Sequence, residues 1–251
     1  MPIDRRPGFL LIVGLIVLWE MSARQGWVVS DNWPPVSKIL SALFSEFSAG
    51  DLPRALGSTL YRMVIGYVIG VSISIFVGIL LTEFPILRRM FEPLLELLRP
   101  IPAPAIIPPL ILFLGIDDPM KITIVSVTAF FPVAINTMQG MAALDPTYFL
   151  VARTFRLQRF RQLVSIVLPG ILPFILAGMR ISLALAFVVA IVGEMIAGAS
   201  GLGYYLVLMQ YAARAPEMYA AIFVIAMVGY LLNLMFTTAE RRLIFWYGMA
   251  S

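Results

Sequence analysis

The sequence contains no cysteine and no histidine, and its only lysines are Lys38 and Lys121. Without cysteine there is no disulfide and no thiol chemistry. Without histidine the commonest general base and the commonest metal ligand are missing, and a serine has no ordinary triad to activate it. Each lysine is followed by isoleucine, so the Gly-Lys-Ser/Thr of a P-loop is absent and no ATPase site lies within this chain. Gly201-Leu202-Gly203 lacks a third glycine and a βαβ context, so it is no dinucleotide fingerprint. No metal-ligating cluster occurs, and no pair of acids sits at membrane depth as an intramembrane protease or transferase would need. No catalytic residue and no metal site are therefore expected. Charge is scarce as well. Of 251 residues, 13% are charged and 61% hydrophobic, against about a quarter and about half in soluble domains, which marks a membrane protein. The basic excess, 18 Lys and Arg against 14 Asp and Glu, then reports cytoplasmic loops and not nucleic acid.

What is present is a series of apolar segments of bilayer length. Six emerge: Gly8 to Ala23, Ser58 to Thr82, Ile101 to Ile116, Met120 to Ala143, Leu172 to Gly198 and Met218 to Ala239. Between the first two lies a polar stretch, Arg24 to Gly57. A mixed charged segment, Glu83 to Arg99, precedes the third, and a loop, Ala199 to Glu217, precedes the sixth. The N-terminal run lacks an A-x-A cleavage site and reads as a retained span. Trp246 and Tyr247 suit a membrane interface. An even number of spans puts both termini on one side. With that side cytoplasmic, eleven arginines lie inside and six basic residues outside, with Arg180 within a span. The reverse orientation inverts the ratio, so both termini are expected in the cytoplasm.

Within the second span Gly66, Gly70, Ser74 and Gly78 recur every four residues on one face. Small residues let helix backbones approach closely in lipid. Packing within one subunit is the plainer reading and a subunit interface the sharper one. The third span holds Pro100, Pro102, Pro104, Pro108 and Pro109. Irregular backbone at membrane depth survives inside protein or along a watery cavity, so Pro102 and Pro104 are pathway candidates, or else mark a buried kink. Asn136, Arg180 and Glu194 are further pathway candidates, because polar groups at membrane depth are functional hypotheses. For Glu194 a structural hydrogen bond is the competing reading, and for Asn136 and Asn233 interhelical hydrogen bonding. Arg180 and Glu194 are separated by roughly 21 Å on a straight helix and need partners elsewhere.

One segment is basic and amphipathic. ARTFRLQRFRQLVSIVLPGILP, residues 152–173, carries Arg153, Arg156, Arg159 and Arg161 and no acid. Ordinary positive-inside flanking is the bland reading. Pro146 can open a short helix through about Phe155, and a break near Arg156-Leu157 leads to a second helix, Gln158 to Leu168, which Pro169 is expected to end. Phe149, Ala152, Phe155, Phe160, Leu163 and Val167 could then fill a groove on a soluble partner.

This arrangement resembles the permease subunits of bacterial binding-protein-dependent ATP-binding-cassette importers. Their cytoplasmic loop reads E-A-A-x-x-x-G, nine residues, then I-x-L-P. Here the string is Leu150-Val151-Ala152, Arg153-Thr154-Phe155, Arg156, then Ile166-Val167-Leu168-Pro169. The right half matches. Leu150, Val151 and Arg156 replace the acid, the first alanine and the glycine. That glycine position suits a turn with positive φ, which costs an arginine more. STLYRMVIGYVIG, EPLLELLRPIPAPAIIPPLILFLGI, FFPVAINTMQGM, LPGILPFILAGMRISLALAF, GEMIAGASGLGY and ERRLIFW resemble the nitrate, sulfonate and taurine branch.

The resemblance implies an all-α membrane protein of type I importer architecture, with about six transmembrane helices and a cytoplasmic helix-turn-helix coupling segment. It implies one permease domain over residues 1–251: a first span and external polar stretch at 1–57, a core at 58–240, and the coupling segment at 144–171. Ala152, Arg153, Thr154, Phe155, Arg156, Leu157 and Gln158 would seat in an ATPase subunit, with Ile166, Leu168 and Pro169 closing the segment. The implied partners are two ATPase copies that bind ATP and magnesium, a second permease copy forming a homodimer, an extracytoplasmic solute-binding protein and membrane lipid. The implied location is the bacterial inner membrane. The implied cargo is a small anion or sulfonate such as taurine, an alkanesulfonate, nitrate or bicarbonate, or in similar permeases a vitamin precursor such as a thiamine pyrimidine. An ion-coupled secondary transporter is the rival from another class. It would want mid-membrane carboxylates and two similar halves.

Overall fold

A stripe of small residues decides which helices form the centre of the molecule. The computed structural model describes residues 6–28 and 30–245. Its helices run in the order α1 (Arg6–Arg24), α2 (Val36–Ala49), α3 (Asp51–Glu83), α4 (Pro85–Leu98), a short 3-10 turn (Ala103–Ile106), α5 (Ile107–Leu114), α6 (Asp118–Ala143), α7 (Pro146–Thr154), α8 (Arg159–Gln162), a π-helical turn (Leu163–Val167), α9 (Leu168–Ala197), α10 (Leu202–Tyr211) and α11 (Ala215–Leu243). Gly66, Gly70, Ser74 and Gly78 are all buried on α3 and face α6 of the same chain. A Cβ on Gly66 would lie 2.7 Å from the Ile122 carbonyl oxygen, and one on Gly78 would lie 2.8 Å from Thr137 Cβ. The Ser74 hydroxyl donates across the contact to the Phe130 carbonyl at 2.8 Å, and Ser126 returns a bond to the Gly66 carbonyl at 2.9 Å. Close backbone approach of this kind is what small residues contribute where lipid offers no hydrophobic drive.

Contact numbers rise together along α3 and α6, from Gly66 against Ile122 to Gly78 against Thr137, so these two helices are parallel. The chain between them must therefore return across the full thickness of the bundle. It does so through α4, the proline-rich segment and α5, and Ile86–Leu98 and Ala103–Leu114 meet at 96°. The third span, expected to carry irregular backbone, is thus a broken crossing. Helix α5 has eight residues, and Pro100 and Pro102, which lack backbone donors, fall in the break between α4 and the 3-10 turn.

Helix α9 lies antiparallel to α6, with Gly140 against Phe174 and Gly178 against Asn136. Met63, Val125, Ala186, Phe187, Ala190 and Ile191 form the core where α3, α6 and α9 meet. Helix α11 packs outside this layer, with Gly229 beside Phe187. Helix α7 and the far ends of α3 and α11 occupy one end of the bundle. Helices α2 and α10 occupy the other, where the Trp19 and Trp33 rings stack at 4.8 Å and tie α1 to the chain entering α2.

Among the described residues, α3, α6, the run Arg159–Ala197 and α11 are long and apolar enough to cross a membrane, and the bent pair makes a fifth crossing. Helix α1, the remaining expected span, has 19 residues and turns Leu10, Leu11 and Ile12 outward. Three expected boundaries shift. The second span begins at Asp51, and the polar stretch before it contains α2. The loop at 199–217 contains α10. Pro169 does not end the second helix of the basic segment, which continues unbroken as the 39-residue run Arg159–Ala197. The π-turn explains this: the Leu168 N–H bonds five residues back, to the Leu163 carbonyl. That widening accommodates a residue with no N–H and a bulky ring. Trp246 and Tyr247 lie outside the described residues.

Candidate functional site

Three features carry chemistry: a basic turn at one end, a cavity in the middle and a buried ion-pair cluster at the other end. At the basic turn, Asp145 caps α7 by accepting the Thr147 N–H at 2.8 Å, with Pro146 preorganised in the first turn. Thr147, through its hydroxyl and its N–H, holds the Asp145 carboxyl below the usual aspartate range. Helix α7 ends in a Schellman arrangement. The Arg156 N–H bonds the Arg153 carbonyl at 2.9 Å and the Leu157 N–H bonds the Ala152 carbonyl at 3.0 Å. Arg156 sits at φ 48°. This is the position where the importer motif has glycine, and the left-handed conformation costs an arginine about 1 kcal/mol or more.

The turn divides the expected contact residues. Phe155 and Phe160 are 73% and 77% exposed, and Arg153, Thr154, Arg156 and Gln158 are exposed with them, while Leu157 and Ile166 are half-buried. Ala152 and Val167 are buried. Phe149, Leu163, Leu168 and Val167 pack inward against Met141, Ile171 and Ile175. So four of the six apolar residues expected to fill a partner's groove, Phe149, Ala152, Leu163 and Val167, instead fasten the turn to the bundle, because they lie on the inward faces of α7 and the π-turn. Pro169 remains exposed. A groove of about 800 Å³ runs between the turn and the end of α3, lined by Glu83, Phe84, Arg153, Leu157, Arg159 and Phe160 among others.

The cavity, about 450 Å³, lies between the proline-rich segment, α6 and α9, and its walls include Pro104, Phe131, Pro132, Asn136 and Leu185. It gathers two of the pathway candidates, Pro104 and Asn136. Pro102, exposed, lies outside its lining. The Asn136 amide donates to the Pro132 carbonyl of its own helix at 2.8 Å, so the expected interhelical bond is replaced by one within α6. Arg180 is elsewhere. It pairs with Glu240 of α11 at 3.4 Å and lines a smaller cavity with Asn233.

Glu194 is 1% exposed and belongs to the cluster at the α10 end. Arg62 Nη1 donates to Glu194 Oε1 at 2.8 Å and Arg62 Nε to Asp118 Oδ1 at 2.6 Å. Arg62 also reaches the Ser200 carbonyl and hydroxyl at 3.0 and 2.6 Å. Thr59 donates to Glu194 Oε2 at 2.7 Å and accepts the Leu202 N–H at 2.8 Å, while the Gly203 N–H meets Glu194 Oε2 at 3.1 Å. Four helices, α3, α6, α9 and α10, are thereby joined around one carboxylate. Gly201 has φ 105°, and a Cβ there would overlap the Glu194 carboxylate. The GLG element thus serves as a cradle of backbone amides. Sequence reasoning found Glu194 but not its partners, because Arg62 lies 132 residues away. The available signal was the buried stripe on α3: Thr59 and Arg62 extend it toward the helix start.

The profile of binding-protein-dependent transport system inner membrane components matches residues 70–245. A Bacillus subtilis (strain 168) protein named as a permease for aliphatic sulfonates transport is 32% identical over 95% of this chain and 87% of its own length. The taurine transport system permease protein of Escherichia coli (strain K12) is 30% identical over 95% of this chain and 88% of its own. Among solved structures, the MetNI methionine ABC transporter in inward-facing conformations superposes with a TM-score of 0.69 at 19% identity, covering 79% of this chain and 98% of that one. That likeness supports the type I importer fold.

Proposed function

Because the chain belongs to the family of binding-protein-dependent transport system inner membrane components, we propose that it forms half of the membrane pathway of an importer for a small monoanion of the sulfonate type. It is the permease of an ATP-binding-cassette importer in the nitrate, sulfonate and taurine branch, and its relatives are permease subunits that are not themselves ATPases. An ATPase and a solute-binding protein are its partners by family. Two ATPase copies holding ATP and magnesium, a second identical permease, and a cytoplasmic position for both termini complete the proposal.

The observation that carries the mechanism is the basic turn. Two exposed phenylalanines flank a Schellman turn among four arginines, and the helix that starts just after it runs without a break from Arg159 to Ala197. Phe155 and Phe160 supply apolar anchors and Arg153, Arg156, Arg159 and Arg161 supply steering charge, the combination that seats a helical segment in a partner's groove. Closure of two ATPases pulls on the turn, and α9 carries that displacement to the cavity wall at Leu185 and Val189. The cavity then alternates its access between two arrangements of the packed helices. The buried carboxylate supports this reading over a proton-coupled carrier, because Glu194 is fully engaged by Arg62, Thr59 and Gly203.

The test is co-purification of the tagged chain in mild detergent. The wild-type chain brings down an ATP-binding-cassette subunit. The double substitution Phe155→Asp with Arg156→Asp inserts normally but loses that subunit and abolishes uptake. Undiminished uptake by the double variant would remove the coupling role from this turn.

A further inference from the structure

The central cavity has a second chamber attached to it. A cavity of about 260 Å³ lies between α4 and the end of α6, lined by Arg88, Glu92, Glu96, Met138 and Gln139 among others. Arg99 and Ile135 line both cavities. Arg99 stands between the end of α4 and Pro100, at the 96° bend that the returning chain makes, so the bend itself brings its side chain to the junction. Among the described residues it is the one charged residue in the lining of the larger cavity, with no carboxylate beside it there. Its guanidinium makes no ion pair or side-chain hydrogen bond among the described residues. Arg62, Arg88 and Arg180 are each paired. An unneutralised cation facing an apolar chamber attracts anions and repels cations, and low-dielectric walls concentrate its field.

We propose that Arg99 is the residue that selects for negative charge in the transport route, drawing a small monoanion from the larger cavity toward the smaller, charged chamber. The inference rests on the importer reading and adds to it a residue and a sign of charge. Among the described residues, the only other polar side chains in the lining of the larger cavity are those of Thr128 and Asn136. Asn136 has already given one amide hydrogen to its own helix. One cation with so few fixed donors around it draws in an anion without caging it, as a step of transit requires. In the next chamber Arg88 pairs with Glu92 at 3.2 Å, and Glu96 stands with Arg99 in its lining, so no net positive charge holds the anion there.

The absence of cysteine provides the test. Asn136→Cys, or Ile135→Cys as a second reporter, is placed in the chain within its complete complex in proteoliposomes. Its reaction rates with a sulfonate-bearing and a trimethylammonium-bearing methanethiosulfonate are compared, each normalised to Tyr211→Cys on the exposed α10 end. With Arg99 present the anionic reagent is favoured by about tenfold. Arg99→Gln removes the preference and Arg99→Lys retains most of it. A preference unchanged by Arg99→Gln overturns the assignment, as does failure of either reagent to reach both reporters. The same preparation reports whether an ATPase subunit is present. An ATPase with no charge preference sinks the Arg99 assignment alone, and a missing ATPase sinks the importer reading whatever the labelling ratio.

Discussion

Arg62 and Glu194 illustrate what a single buried ion pair asks of its surroundings. Taking both charges out of water costs several kcal/mol per ion, and only a full set of hydrogen bonds offsets that cost. Here Thr59, Ser200, Asp118 and the Gly203 amide supply them. Removing one partner leaves the other uncompensated, so Arg62→Ala and Glu194→Ala should each destabilise by about 3–5 kcal/mol. Thermal unfolding in detergent measures this. The two substitutions together should cost clearly less than their sum, since they share one interaction. Additive losses would mean that the pair contributes nothing as a pair. The opposite sign is expected at Arg156. Replacing a left-handed arginine by glycine relieves about 1 kcal/mol of backbone strain. Arg156→Gly should therefore raise the unfolding temperature slightly, and a drop would show that the arginine side chain makes a compensating contact in the complex.

At the scale of helices, the α3–α6 contact predicts a graded response. At Gly70 an added methyl meets the Ser126 backbone carbonyl, which has no room to move, whereas at Gly78 the nearest atoms belong to the Thr137 side chain. Overpacking typically costs about 1–3 kcal/mol. Gly70→Ala should fall at the upper end and Gly78→Ala at the lower, as judged by the fraction of chain that stays monodisperse after heating. Adding Thr137→Ala removes the Cγ2 contact but keeps Thr137 Cβ at 2.8 Å, so it should rescue Gly78→Ala only in part and leave Gly70→Ala unaffected. This contact was legible in advance, because a four-residue repeat of small side chains is a local pattern. The fate of Pro169 was not. A proline reads as a stop, and the π-turn that lets the helix pass through it depends on one hydrogen bond of unusual span. Arg99 was hidden for a different reason. In sequence it is one arginine in a charged flank, and only the bend after α4 carries it to a cavity.

For the molecule as a whole, the helix directions fix which features share an end. The basic turn lies with the ends of α3 and α11, and α2 and α10 lie opposite. With both termini cytoplasmic, Tyr211→Cys should react with a membrane-impermeant maleimide in intact spheroplasts. Phe160→Cys should react only after permeabilisation. Both positions are more than three-quarters exposed, so burial does not interfere. The reverse pattern would invert the proposed topology. The resemblance carried by the motifs had already given the overall architecture, since nearly every apolar segment bears part of it. The cluster at 194 and the chamber pair required the fold, because each is assembled from helices far apart in the chain.

The run from Arg159 to Ala197 is anchored near its far end, at Glu194, and this makes it a lever with unequal arms. Arg159 lies roughly 52 Å from that fulcrum along the helix and Leu185 roughly 13 Å. A tilt of about 10° would sweep the near end through about 9 Å while moving Leu185 by only about 2 Å, taking the helix as a rod. The arrangement demultiplies motion. On the coupling proposed above, a large stroke by the soluble engine would become a small, forceful displacement where the solute passes, and loosening the cluster around Glu194 would cost the machine its mechanical advantage.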